Sequence, residues 1–314
     1  MCCLFGLIDY KGGLSYQQRK RIIRALAIEG EQRGTDATGY AWYHNGRIII
    51  KKSSKAAHEY QVHMPRDVKV VMGHTRLTTQ GNHHNNRNNH PFMGHCKENS
   101  FALAHNGIIY DDMELKKEYH LPQSKVETDS YVAVQLLEQS KECDMESMQQ
   151  LGNIIGNGFN MFNFSVLDDN NNLYLIKGNN PLAIYHFKEE GFILYASTKE
   201  IAERAMRRSG IDTYPEAEEP KAGTIWKISP KGNIEVNQFE MKEDDLSYYS
   251  MLYRRYYYEP EVYTREQSEY FEELLEYAKL IHFPTEELLE LWEEGLDEEE
   301  IESILVEEDM LRGA

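Results

Sequence analysis

The chain opens Met1-Cys2-Cys3-Leu4-Phe5-Gly6-Leu7-Ile8-Asp9 and reaches Lys11-Gly12-Gly13 directly afterwards. So short an apolar run, closed by a glycine pair, predicts a buried first strand from Leu4 to Asp9 and then a turn. A cysteine stands at the mouth of that strand. If Met1 is removed, as small second residues normally permit, Cys2 carries a thiol nucleophile and a free α-amine on one residue. The amine has a reference pKa of about 8, so at neutral pH a useful fraction can act as the base, with no separate histidine. Alone, Met1-Cys2 reads better as a small buried cysteine opening a strand. The rest of the chain has to decide.

Further along, Ser15 is placed to cap a helix running toward Glu31, with Ile22, Ile23 and Leu26 on one face. Asn45-Gly46 between Tyr40–His44 and Arg47–Lys51 is a two-residue hairpin signal. Strands are expected at Val68–His74, Phe101–His105, Phe162–Leu167 and Leu173–Lys177. Two more pairs are expected, Leu182–Phe187 with Phe192–Ala196 and Thr224–Ile228 with Ile234–Asn237. Thr128 is placed to cap a helix containing Tyr131, Val134 and Leu137. Hairpins interleaved with a few helices predict an α+β layered body with antiparallel sheets.

Four downstream segments join Met1–Gly6: Arg33-Gly34-Thr35-Asp36-Ala37-Thr38-Gly39, Gly73-His74-Thr75-Arg76 continuing to Gly81, Asn89-His90-Pro91-Phe92, and His105-Asn106-Gly107. In order and spacing the set resembles the glutaminase domain of class II glutamine amidotransferases, a family of N-terminal-nucleophile hydrolases. The resemblance runs from Cys2 to about Phe239 and takes in Asp129-Ser130, Asn180-Pro181-Leu182 and Ala196-Ser197. It implies a four-layer αββα sandwich with the N-terminal cysteine at the end of a sheet strand.

The resemblance also assigns roles that these residue types can perform. Glutamine presents an α-carboxylate, an α-ammonium and a side-chain amide, so its site needs a cation, an anion and an oxyanion hole. Arg76 matches the arginine that grips the carboxylate, which a planar guanidinium can do bidentately. Asp129 matches the carboxylate that takes the ammonium, and Asn106 with Gly107 the two oxyanion donors. Thr79 aligns with a threonine near the substrate carboxylate and His90 with a histidine of the pocket wall. Arg33 and Asp36 are expected to form an ion pair shaping the loop over Cys2, in a supporting role. Taken singly, each has a plainer reading. Arg76 or Asp129 would be a surface charge, Asn106-Gly107 a hairpin turn, and His74 a hydrogen-bonded core histidine.

The chain departs from the family pattern at three places. Cys3 replaces the usual glycine and is read as a small packed residue, although a second thiol could compete or oxidise. Leu77 stands where synthase domains carry tryptophan, and Gln80 where they carry histidine, so the lid should differ. Asn82–Asn89 is longer than expected and holds His83, His84 and Arg87. With His90, His95 and Cys96 it invites a zinc reading, but the spacing fits no tight four-ligand pattern. A solvated, mobile loop is expected there, with neither metal nor cofactor.

Charge divides the chain. Of 52 acidic and 34 basic residues, 23 and 6 lie in Met241–Ala314, so residues 1–240 carry 29 and 28 and are nearly neutral. The expected domains are therefore a glutaminase domain over 1–240, a tyrosine-rich linker over 241–264 and an acidic helical tail over 265–314. In the tail, Glu266–His282 has helical spacing at Phe271, Leu274, Leu275 and Ala278. Thr285 and the Asp297/Glu300 pair are placed to start two more helices. About 75 residues after the glutaminase segment are too few for the acceptor domain of a family synthase. So acidic a chain does not suit nucleic acid. It has no apolar run approaching the roughly 20 residues of a membrane helix, and no secretory signal is visible. Four cysteines make no disulfide framework, which suggests a reducing, cytoplasmic compartment. The leading expectation is an amide hydrolase that releases ammonia from glutamine for a separate acceptor enzyme. Two alternatives stay open: hydrolysis of a γ-glutamyl amide metabolite, and an inactive scaffold or regulator. A homo-oligomer also stays open.

Overall fold

The computed structural model describes residues 2–242, 269–281, 283–285 and positions 288, 301 and 305. The chain divides into two compact units, Met1–Lys242 and Glu243–Ala314.

The first unit is built on two antiparallel sheets of six strands. One has the order β3 (Arg47–Ser53), β2 (Ala37–His44), β4 (Val70–Arg76), β1 (Cys3–Ile8), β10 (Phe192–Ala196), β9 (Ala183–Phe187). The other runs β12 (Ile234–Gln238), β11 (Thr224–Ile228), β8 (Leu173–Lys177), β7 (Met161–Asp168), β6 (Ser100–Ile108), β5 (Phe92–His95). Helices α1 (Tyr16–Gly30) and α5 (Lys199–Ser209) cover the first sheet. Helices α2 (Asp112–Glu118), α3 (Tyr131–Glu138) and α4 (Met145–Gly156) lie on the side of the second. Three buried clusters fill the gaps: helix on sheet, sheet on sheet, and sheet on helix. This is the four-layer αββα sandwich expected.

Local chemistry explains most elements. Ser15 caps α1 in a reciprocal box with Gln18. Asn45 and Gly46 take positive φ values of 50° and 78°, the left-handed pair that a tight hairpin demands. Helices α4 and α5, which hydrophobic periodicity alone did not single out, announce themselves by caps. Asp144 boxes with Ser147 at the start of α4, Thr198 accepts from Ile201 N–H at the start of α5, and Gly210 closes α5 at φ 82°. Thr128 corrects one expectation. It lies upstream of α3 but does not cap it, its hydroxyl being buried without a partner.

In the second unit, α6 (Glu269–Leu280) buries Phe271, Leu274 and Ala278 against Ile281, Phe283, Leu288, Ile301 and Leu305. The tyrosine-rich linker lies outside the described residues from position 243 on, as do Leu289, Trp292, Asp297, Glu300 and Ile304, on which two further helices were expected. Among the described residues no helix is long and apolar enough to cross a membrane.

Candidate active site

Pleating decides which side chains meet. In β1, Cys3, Phe5 and Leu7 join the helix-side core, and Leu4 and Ile8 the core between the sheets. Cys2 continues the second phase. In β4, Val70 and Met72 pack between the sheets, so His74 and Arg76 share that side. In β6, Ala102 and Ala104 do the same, which gives Asn106 the inter-sheet phase and His105 the opposite one. The register pairs Cys3 with Thr75 and so sets Cys2 beside Arg76. Three residues that are remote in sequence thus reach one end of the inter-sheet layer.

Arg33 ties two of them together. Its Nε donates to the Cys2 carbonyl at 2.8 Å and its Nη2 to Asn106 Oδ1 at 3.5 Å. A guanidinium only donates, so this contact fixes which amide atom is oxygen. Asn106 Nδ2 gives one hydrogen to Ser197 Oγ at 3.4 Å and keeps the second uncommitted by any described side chain. Asn180 Nδ2 holds the Asn106 carbonyl at 2.8 Å. Gly107 has φ 149°, and a Cβ there would come within 1.8 Å of the Met161 carbonyl, so only glycine fits. Cys2 Sγ donates to the Leu77 carbonyl at 3.5 Å. Burial pushes the Cys2 thiol up, the Leu77 backbone and the Arg76 charge pull it down, and Asp129 opposes them. Cys3 is fully buried against Gly30, as a packed residue.

Arg76 is 3% exposed, and its hydrogen-bond acceptors are neutral. Nη1 donates to Asn89 Oδ1 at 2.6 Å, while Nη2 reaches the carbonyls of Gln80 and Gly81. The stretch 82–89 is therefore anchored through the buried Asn88 and Asn89, while Asn82, His84, Asn85, Asn86 and Arg87 stay exposed to solvent as expected. Asn89 Nδ2 donates to the His83 carbonyl and Asn88 Nδ2 to Glu127 Oε2, both at 2.7 Å. Lys52 Nζ holds the carbonyls of Asn89 and Pro91. Burial brings that ammonium down to about 8. Buried amides pay for the loop's order by pairing fully. Leu77, Thr79 and Gln80 are exposed, and it is the Thr78 hydroxyl, not that of Thr79, which is buried.

A second correction concerns Arg33 and Asp36, which do not pair. A short 3-10 turn over Glu31–Arg33 and the extended Gly34 send the two side chains to different partners. Asp36 Oδ2 accepts from Thr78 N–H at 2.7 Å, and the carboxyl stays below its ordinary range despite burial, held there by Thr78 and by the nearby His83 and Arg76 charges.

Asp129 is buried at the N-terminal side of α3 and accepts from Ile109 N–H through Oδ2 at 2.7 Å. Ser130 Oγ lies 3.4 Å from Oδ1. Behind it, His74, His90 and His105 form a buried group in which the His90 ring lies 4.3 Å from that of His74 and 6.5 Å from that of His105. His74 Nε2 donates to the His105 carbonyl at 2.9 Å, the core role expected of it. Both His90 nitrogens are buried without a hydrogen-bond partner. Burial holds all three imidazoles neutral, His74 down to about 3. No cluster of three His, Cys, Asp or Glu that could hold a metal ion occurs among the described residues. Sequence reasoning missed Asn88, Asn89 and Lys52 as loop anchors. It quoted Ser130, His105 and Ser197 within motifs but gave them no task.

Residues 74–203 match the glutamine amidotransferase domain family. Glutamine–fructose-6-phosphate aminotransferase (isomerizing) of Staphylococcus aureus N315 is 30% identical over 198 residues, 61% of this chain and 32% of that protein. The Staphylococcus epidermidis protein of the same name is 29% identical over the same shares. The chain thus spans about a third of the length of these curated relatives. Among solved structures, the glutamine phosphoribosylpyrophosphate amidotransferase of B. subtilis, complexed with ADP and GMP, superposes with a TM-score of 0.58. It is 20% identical, and the match covers 77% of this chain and 50% of that one. A structure described as the allosteric regulatory enzyme of purine biosynthesis gives 0.59 at 18% identity over the same shares. At those identities the two structures speak for the fold, which is the one built above from the strands. Residues 74–203 of this body thus belong with the glutamine amidotransferase domain family, in a fold shared with the solved amidotransferase.

Proposed function

We propose that the chain hydrolyses the side-chain amide of glutamine through Cys2, freed as the first residue by removal of Met1. The observation that carries the reading is the convergence of Cys2, Asn106 and Arg76 at one end of the inter-sheet layer, with Arg33 bridging the first two and the charges of Arg76 and Asp129 both acting on the Cys2 thiol. The α-amine takes the thiol proton and the sulfur attacks the amide carbon. Asn106 Nδ2–H and Gly107 N–H receive the oxyanion, the α-ammonium of Cys2 returns its proton to the amide nitrogen so that ammonia leaves, and water cleaves the thioester to glutamate and the free thiol. Arg76 grips the α-carboxylate and Asp129 the α-ammonium, with Thr79 and His90 at the pocket margin. The domains proposed are a glutaminase over 1–240, a linker over 241–264 and a helical tail over 265–314. Ammonia passes to a separate acceptor enzyme in the cytoplasm.

Purified full chain incubated with glutamine tests this, with intact mass reporting the state of Met1. Equal release of glutamate and ammonia is expected, and Cys2→Ala should lower it at least about a thousandfold. An active Cys2→Ala variant sinks the mechanism. Turnover of γ-glutamyl amides in place of free glutamine redirects the substrate, and inactivity toward both leaves only the scaffold.

A further inference from the structure

Asp129 and its neighbours contain a hydrogen-bonding choice. Ser130 has one hydroxyl proton and two acceptors within reach, His105 Nδ1 at 2.8 Å and Asp129 Oδ1 at 3.4 Å. The His105 tautomer settles the choice. Its Nε2 lies 3.4 Å from the Met161 carbonyl, which can only accept. A proton on Nε2 satisfies that carbonyl and leaves Nδ1 as an acceptor for Ser130. A proton on Nδ1 would turn the Nε2 lone pair against the carbonyl oxygen. Burial keeps the ring from carrying both protons, although Asp129 pulls the other way. Ser130 lies between the histidine and the carboxylate, and both Ser130 and His105 are buried, so the trio is not arranged as a nucleophile–base–acid triad.

We propose, resting on the glutaminase reading, that His105 is a positioning residue for the ammonium subsite: its Nδ1 accepts the Ser130 hydroxyl and so keeps Asp129 Oδ1 open for the α-ammonium of the substrate. Oδ2 is already committed to Ile109 N–H, so Oδ1 is the oxygen at stake. Without the imidazole acceptor, the nearest partner for the Ser130 proton is Oδ1 itself.

The test compares L-glutamine with 4-carbamoylbutanoate, which lacks the α-ammonium, on the purified full chain. His105→Phe keeps a ring against Phe164, 4.8 Å away, and should raise the glutamine KM about tenfold with kcat nearly unchanged and 4-carbamoylbutanoate turnover unaffected. Adding Ser130→Ala should restore most of the lost KM, which a merely structural role for His105 does not allow. Ser130→Ala alone should leave the glutamine KM unchanged or lower. That single variant decides the matter if His105→Phe does not fold, and a raised KM in it overturns the proposal. Equal losses on both amides in His105→Phe, or no relief in the double variant, also overturn it. Asp129→Asn is the control for the parent reading. If wild type turns over neither amide, or Asp129→Asn fails to separate them, the glutaminase reading itself has failed.

Discussion

Arg76 and Asp129, the two charges proposed to meet the ends of glutamine, are held in opposite ways. Arg76 projects from a strand end into a loop and collects that loop's carbonyls and the Asn89 amide around itself. Asp129 sits where a helix begins and receives one firm backbone N–H from beyond β6. The cation organises its surroundings, whereas the anion is organised by them. Removing the first should cost structure as well as chemistry, and neutralising the second chemistry alone.

Arg76→Ala is the severest case. It strips the acceptors of 80, 81 and 89 of their donor, so glutaminase activity should fall below detection and thermal unfolding should shift down by several degrees, about 1–3 kcal/mol. A variant with wild-type melting contradicts the contrast. Asp129→Asn keeps size and the Ile109 bond, and should lower kcat/KM by about a hundredfold or more with the melting temperature unmoved. Asn89→Ala leaves Arg76 Nη1 unpaired. It should raise the glutamine KM more than it lowers kcat, at a stability cost of about 1–3 kcal/mol by denaturant titration.

Acid should act on both subsites alike through His74, His90 and His105. All three are buried bases whose folded pKa values lie below the ordinary 6.5. The unfolded chain therefore binds protons first, and stability falls as pH drops below about 6.5, by up to about 1.4 kcal/mol per pH unit for each ring. Urea midpoints between pH 7 and 4 should show this slope, and His90→Phe should flatten it by about one proton. The smallest effect is expected for Thr79→Ala. The residue is exposed on the loop, and its glutamine KM should stay within about threefold.

The strands and their layering were legible because period-two patterns and turn residues such as Asn45-Gly46 act locally. The convergence of Cys2, Arg76 and Asn106 was legible only through resemblance, since it depends on strand register across two sheets. Arg33 and Asp36 misled because closeness in sequence is no guide to direction once a 3-10 turn intervenes. The anchoring of the 82–89 loop at its end was hidden for the opposite reason. It comes from Asn88 meeting Glu127, a partner remote in the chain, and a polar run reads as loop whether or not its amides find such partners.

The alternation in β1 has one more consequence. Neighbouring thiols at 2 and 3 point into separate compartments, one into the inter-sheet layer beside Arg76 and one sealed beneath α1. An electrophilic glutamine mimic should add a single adduct to the native protein, and Cys3, like the other buried thiols Cys96 and Cys143, should label only after denaturation. The doubled cysteine is thus chemically a solitary one, its twin hidden for as long as the sandwich stays shut.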